Sequence, residues 1–253
     1  MAATYSFTDT LKESNPEVYH KATHPEFARM AFQGQVSKES LGRWLASDIV
    51  YLHSYVKSSG LLLQSLDYSD LSNTKSPSNV LADWLIALLA SISREENTIN
   101  EAAVQYGLDI TPQLDPDGRM LKSLRNKGSQ RWEDLFGRMT VGKGDLPWLE
   151  NAIIFFVNET VYHEVWINAQ KHFNIAQNPI QDEDGGALRN LLTVSWTCKE
   201  FGEFIQMGKQ AIDQAVRDLV GGEGEKVKDI LFHRVKATYD ECLSIQIDFF
   251  DLN

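Results

Sequence analysis

The sequence predicts an all-α bundle of seven or eight helices, and three observations carry that expectation. Apolar residues recur at the i, i+3, i+4, i+7 spacing along several long stretches, and alternating strand-like stretches are absent. Only seven prolines and sixteen glycines occur in 253 residues, and most cluster between those stretches. No internal repeat or low-complexity tract interrupts the pattern, and the loops are short. Residues 1–253 therefore read as a single domain, large enough to bury a core without disulfides or metals to staple it.

The elements follow in order. Thr23-His24-Pro25 reads as a helix start with proline in the first turn, and Gly34 as its stop. Ser37 caps a helix from about Lys38 to Leu66, with Leu41, Trp44, Leu45, Leu52, Tyr55 and Val56 on its apolar face. Tyr68 to Asn79 is a loop; Val80 to Tyr106 is the next helix, ended by Gly107. Asp109 to Gly118, with two prolines and an Asp-Gly turn, is a second loop. A short helix follows, then Ser129 to Met139 carrying Trp132, Leu135 and Phe136. Asp145 caps a long helix, with Pro147 in its first turn, that runs to about Phe173. Asn174 to Gly186 is a loop, and Ala187 to Val220 is helical with a bend near Gly202 and a stop at Gly221-Gly222. Glu223 to Phe250 forms the last helix.

Composition narrows the function classes. The 24 Lys and Arg against 35 Asp and Glu leave a net charge of −11, with no basic block of five or more residues. A protein whose main partner is a phosphate backbone needs clustered cations, so nucleic acid is not an expected partner. The longest apolar run, Val80 to Ile92, is too short to span a bilayer and contains Asp83, so no membrane partner is expected either. Met1 to Pro16 has neither the basic nor the apolar region of a secretory leader. Cys198 and Cys242 cannot build a disulfide framework, and no C-x-x-C motif exists. The expected setting is cytoplasmic.

The informative residues are those that interrupt the buried stripes. Burying an unpartnered polar group costs ~1–3 kcal/mol, and a charge costs more. The row Leu41, Leu45, Asp48, Leu52, Tyr55 turns Asp48 inward, with Tyr51 on a neighbouring row of the same face. Leu81, Leu85, Leu88, Ile92, Glu95, Ile99 does the same for Glu95. Ala152, Phe156, Glu159, His163, Trp166 turns Glu159 inward, and Leu231, Val235, Tyr239, Cys242, Gln246, Phe249 carries Gln246. One inward acid is ordinarily paired with a cation or a helix end, and a tryptophan is ordinarily core packing. Four polar groups from four helices on one interior need four separate compensations, or one shared polar pocket.

Several segments together resemble the TenA (thiaminase II) family. They are Ala22-Thr23-His24-Pro25-Glu26-Phe27, Gly34-Gln35-Val36-Ser37, Trp44 to Leu52 around Asp48, Phe156 to Tyr162, Trp196-Thr197-Cys198-Lys199-Glu200-Phe201, and Gln246 to Asp251. Their order and spacing cover almost the whole chain. The resemblance implies a haem-oxygenase-like fold, assembly as a homodimer or homotetramer, and a pocket for a 4-amino-2-methylpyrimidine whose exocyclic amine is hydrolysed in thiamin salvage. By the same resemblance Asp48 pairs with the ring nitrogen and amino group, Tyr51 and Tyr162 stand nearby, and Trp132 and Trp196 stack on or close over the ring. A carboxylate suits an edge that offers a donor and a protonatable nitrogen side by side. No cofactor and no metal are implied.

The chain departs from the family at two places. The family's nucleophilic cysteine, four residues before Tyr162, is Asn158 here, and neither Cys198 nor Cys242 replaces it by position. The following Glu159 matches a cysteine-lacking branch, where it would serve as general base on water or assist C–N cleavage. The family's C-terminal general acid/base glutamate is Gln246, and a glutamine cannot shuttle a proton; Asp240 and Glu241 are the acids nearest in sequence. Two further readings stand beside hydrolysis. One is a binding protein that has lost the chemistry. The other is a di-iron oxidase using Glu159 and His163, which lacks a second acid–histidine pair on another inward row. His24 belongs to the family's helix-capping His-Pro rather than to a haem site.

Overall fold

Three serines start helices by one device: Ser6, Ser37 and Ser76 each accept a hydrogen bond on Oγ from the backbone N–H three residues on. Each cap satisfies a donor that the first helical turn leaves over, worth ~1 kcal/mol. The computed structural model describes residues 5–67, 73–171 and 178–251. Three short helices, α1 (Phe7–Glu13), α2 (Pro16–Thr23) and α3 (Glu26–Phe32), precede α4 (Lys38–Ser65) and α5 (Pro77–Tyr106). A 3₁₀ turn, Lys122–Leu124, leads to α6 (Lys127–Arg138), and α7 (Leu149–Gln170) follows. A π-helical turn, Leu188–Leu192, runs into the single turn α8 (Thr193–Trp196), then α9 (Lys199–Glu223) and α10 (Glu225–Phe249). No strand occurs among the described residues. Their one β-bridge, Leu114 to Met120, closes the predicted Asp-Gly turn.

The Ser37 cap and the Gly107 stop lie where the spacing predicts them, and Gly107 takes the left-handed conformation with φ +65°. Other boundaries move. α5 begins at Pro77, three residues before Val80, because Ser76 and Pro77 together make a better start than the first apolar residue. Asp145 is no cap: α7 begins behind Trp148 without a side-chain cap. The chain reverses there through Gly144 (φ +75°) and Leu146 (φ +49°), and Arg234 holds the turn by donating to the carbonyls of Asp145 and Leu146 at 2.8 and 2.9 Å. The stretch from Ala187 is broken at Thr197-Cys198, where Cys198 is extended, and Gly202 sits inside the first turn of α9. Gly221 and Gly222 stay helical, at a cost of only ~1 kcal/mol each in an exposed last turn; the stop is Gly224, φ +94°. The predicted end of α7 at Phe173, the loop residues 68–72 and 174–177, and residues 1–4 lie outside the described residues.

α7 runs through the centre of the bundle, packed by α10, α9, α2 and α3, while α5 lies against α4 and α9 and α6 bridges α4 and α10. Close approach is built in by glycine. A Cβ on Gly128 would stand 2.2 Å from the Phe249 backbone, and one on Gly208 would stand 2.7 Å from the Trp84 ring. Below α4 the rings of Trp44, Trp166, Trp196, Phe27 and Phe250 meet at centroid distances of 4.8–6.3 Å, in stacked and edge-on contacts. The Trp44 indole N–H donates to the Phe249 carbonyl at 3.1 Å, which ties α4 to the end of α10. A buried bidentate pair, Arg189 with Asp182, anchors the approach to the π-helical turn. Among the described residues no helix is long and apolar enough to cross a membrane.

Candidate functional site

α4, α5, α7 and the α8–α9 junction enclose a cavity of about 590 Å³. Three acids line it, one from each of the first three helices: Asp48, Glu95 and Glu159. Asp48 reaches it because the 4-3-4-3 rhythm of α4 keeps one face inward, and Tyr51 and Tyr55 follow at three and seven residues on that face. α7 contributes Asn158, Glu159 and Tyr162. Trp196, Phe201 and Phe204 form the far wall, and the exposed Arg94, Ser195 and Glu200 mark the mouth.

Hydrogen bonds fix the inward groups. The Tyr55 hydroxyl donates to Glu159 Oε1 at 2.5 Å, the Tyr51 hydroxyl to Asn158 Oδ1 at 2.8 Å, and the Trp196 indole N–H to Glu95 Oε1 at 2.8 Å. Three buried atoms on the cavity residues have no partner: Asp48 Oδ2, Asn158 Nδ2 and the Tyr162 hydroxyl. Asp48 is 1% exposed, and the Asn158 amide has its donor nitrogen left over after serving Tyr51. An acceptor and a donor are thus held ready at the cost of their desolvation, which a ligand with a complementary edge would offset.

The electrostatics follow from burial without a counter-charge. Burial raises the Asp48 carboxyl well above the usual carboxylate range, and the neighbouring Glu95 raises it further. Burial pushes Glu95 to about 7, against the Trp196 donor, which lowers it. Glu159 reaches about 8: burial dominates, the Tyr55 hydroxyl pulls it down, and Glu95 pushes it up. Tyr51 and Tyr55 are raised by burial and by Glu159, so both stay neutral donors. At neutral pH the site therefore holds carboxylic acids that can give a proton and take it back, the condition for general acid–base work near pH 7.

Of the residues singled out from sequence, Asp48, Tyr51, Glu95, Asn158, Glu159, Tyr162 and Trp196 line this cavity. Trp132 does not. It is 1% exposed, stacked on Phe136 at 5.6 Å and placed behind Tyr51 as core. Gln246 is buried on α10 and does not line this cavity either. Asp240 pairs with Lys236 and Glu241 with Arg138, so neither acid turns to the site. His163 lines an outer groove beside α9 rather than the cavity, which separates it from Glu159 as a metal pair. Among the described residues no group of three or more His, Cys, Asp or Glu could hold a metal ion.

Among the cavity residues that the sequence does not single out are Tyr55 and Cys198. The sequence presents Tyr55 as a member of the apolar stripe, seven residues from Asp48 and so on the same face. Cys198 lines both the cavity and the outer groove, because the break at Thr197-Cys198 puts it on the wall. On the other side of α7 lies a separate space of about 120 Å³, touched by Val157, Thr160 and Glu164 and by Tyr239 of α10; the Thr160 and Tyr239 hydroxyls have no partner.

Solved structures with this architecture cover nearly the whole chain. A TenA homologue from Pyrococcus furiosus is 17% identical with a TM-score of 0.67, covering 97% of this chain and 98% of that one. The fold is the TenA fold. A second TenA homologue, from P. horikoshii, is 12% identical with a TM-score of 0.66, covering 97% of each chain. A third, from Pseudomonas syringae pv. tomato, is 10% identical with a TM-score of 0.59, covering 97% of this chain and 93% of that one. No protein-family model matches the sequence, and no curated protein matches it. At such identities the TenA fold fixes the backbone frame, and the chemistry has to be read from this chain's own side chains.

Proposed function

We propose that the chain binds a 4-amino-2-methylpyrimidine in the central cavity and hydrolyses an amino or formylamino group from the arm at ring position 5, a salvage step for thiamin breakdown products. The observation that carries the reading is the unpartnered carboxyl oxygen of Asp48 in the same cavity as a Glu159 carboxyl at about 8. An aminopyrimidine edge supplies the donor and the protonatable nitrogen that such an acid lacks, and binding a base there restores the ionised form that burial disfavours. The vacant Asn158 amide offers a donor to a ring acceptor, and the Tyr162 and Trp196 rings, 5.5 Å apart and edge-on, wall the same space. Glu159, protonated at neutral pH, would give its proton to the leaving nitrogen and then take one from water.

The test is direct. Full-length protein is incubated with the 5-aminomethyl and 5-formylaminomethyl pyrimidines, and hydroxymethyl or deformylated product is followed by chromatography. Turnover is expected from the wild type, with a loss of roughly 10²-fold or more in Glu159→Gln. Tight binding without turnover by the wild type would assign the cavity to a binding protein instead, and unchanged turnover in Glu159→Gln would remove Glu159 from the chemistry.

A further inference from the structure

We infer that the space of about 120 Å³ on the far side of α7 is a second ligand site, shaped and charged for a small zwitterion, an amino acid of the size of glycine, alanine or serine. The central cavity takes no part in it. α7 turns Asn158, Glu159 and Tyr162 to that cavity and a different row, Val157, Thr160, Val161 and Glu164, to this space.

The row itself is the first sign. Its offsets of three, four and seven residues are those of a buried helix face, yet it carries a hydroxyl and a carboxyl among the valines. α10 brings Tyr239 to the same space, and α2 brings Tyr19. Tyr239 is 3% exposed and Tyr19 8%, and neither hydroxyl has a hydrogen-bond partner of normal geometry, nor does that of Thr160. Burial raises the Tyr19 phenol, and the nearby Glu164 raises it further; burial, then Asp240 and Glu164, raise that of Tyr239. Both phenols therefore stay protonated and can donate. Three hydroxyls from three helices, each desolvated without a bond, meet on one unfilled space, a cost that packing alone has no reason to accept.

The charges around them balance. Lys12 pairs with Glu164 at 2.7 Å and Lys209 with Asp9 at 2.8 Å, and all four line the space. Lys209 is also held from behind by Asp213 at 3.1 Å, so its ammonium keeps its place when Asp9 turns to a ligand. A lining of two cations and two anions disfavours a ligand of net charge, whose burial would go uncompensated, and suits one that carries both signs. The carboxylate of an amino acid would accept from the phenols and from a lysine, while its ammonium would donate to Glu164 and Asp9. Its carbon atoms would rest on Val161 and Ile205. Size sets the other limit: at about 30 Å³ per water the space holds about four waters, or one molecule of roughly five to seven heavy atoms.

The test uses full-length protein with no pyrimidine present. Glycine, L-alanine and L-serine are titrated by calorimetry and ligand-observed NMR, beside acetate, methylammonium, ethylene glycol and L-leucine. Saturable binding of at least one of the three small amino acids is expected, on the scale of about 0.1–1 mM that so few atoms allow, with every comparator about tenfold weaker or more. Tyr239→Phe and Thr160→Val keep the shape of the wall. Each should weaken that binding about tenfold or more, while Tm without ligand stays the same or rises, because each removes an unpaired buried hydroxyl. No saturation by any of the three up to about 50 mM assigns the space to water and overturns the site. Acetate or ethylene glycol binding as tightly as the amino acids overturns the zwitterion, and binding that neither substitution weakens overturns the location.

Discussion

Glu159 makes stability depend on pH in a direction opposite to that of most carboxylates. In the unfolded chain its carboxyl ionises near 4.5, and in the cavity near 8, because burial dominates over the Tyr55 hydroxyl that favours the charged form. Between those values the folded state holds a proton that the unfolded state has lost. Its contribution is fully present below pH 4.5 and is lost as pH rises through 8. At ~1.4 kcal/mol per tenfold change in proton affinity, the full span corresponds to ~5 kcal/mol. Water entering the open cavity to meet the new charge returns part of that, leaving a loss of ~2–4 kcal/mol by pH 9. For a chain of this length the loss amounts to a fall in Tm of roughly 5–10 °C. Glu159→Gln is neutral at every pH and keeps the shape. Scanning calorimetry of wild type and Glu159→Gln at pH 5 and pH 9, at matched ionic strength, should give Tm values that diverge in favour of the glutamine variant at the higher pH. Parallel Tm curves across that range would refute the claim that the Glu159 carboxyl is held protonated by the fold.

Four further substitutions follow from contacts already described. Tyr55→Phe removes the hydroxyl that holds Glu159 down, so the limb of the pH–rate profile set by that carboxyl should move to higher pH; a profile that stays in place would detach Tyr55 from Glu159. Trp132→Phe should lower Tm by a few degrees while pyrimidine affinity by calorimetry stays within about threefold. Trp196→Phe, which strips the indole donor from Glu95, should weaken that affinity more than Trp132→Phe does. Gly128→Ala forces a Cβ to within 2.2 Å of the Phe249 backbone, so α6 and α10 must part; ~3 kcal/mol or more should be lost, read as a Tm drop of roughly 6–12 °C.

What the sequence made legible depended on how local the cause was. Ser37 and Gly107 could be read because a cap and a left-handed stop are decided within four residues. Asp48, Glu95 and Glu159 could be read because a single helical rhythm fixes which way each points. Asp145 misled because the turn that starts α7 is held from 89 residues away, by Arg234. Gly221-Gly222 misled because two glycines permit a break without compelling one, and the chain waits for Gly224. Trp132 and Trp196 have equal claims as aromatic letters. Only packing puts the first behind Tyr51 and lets the second reach Glu95. Cys198 was hidden by the same error that joined α8 to α9. Once the helix is read as continuous, its first residue looks like an interior one.

The helix that carries Glu159 is central, yet it has unfilled space on two sides: the large cavity against Asn158, Glu159 and Tyr162, and the 120 Å³ space against Val157, Thr160 and Glu164. Pressure works on such volumes, because states that eliminate internal voids occupy less of the solution. The stiff elements here are the Trp44–Phe250 stack and the α4–α10 tie at Trp44; the compressible one is α7, which carries Trp166. Under a few hundred megapascals the first signal to change should come from Trp166, which rides on α7 and stacks on Trp196 at 4.8 Å, ahead of global unfolding. The acid that this chain would use for chemistry therefore sits on its most yielding beam.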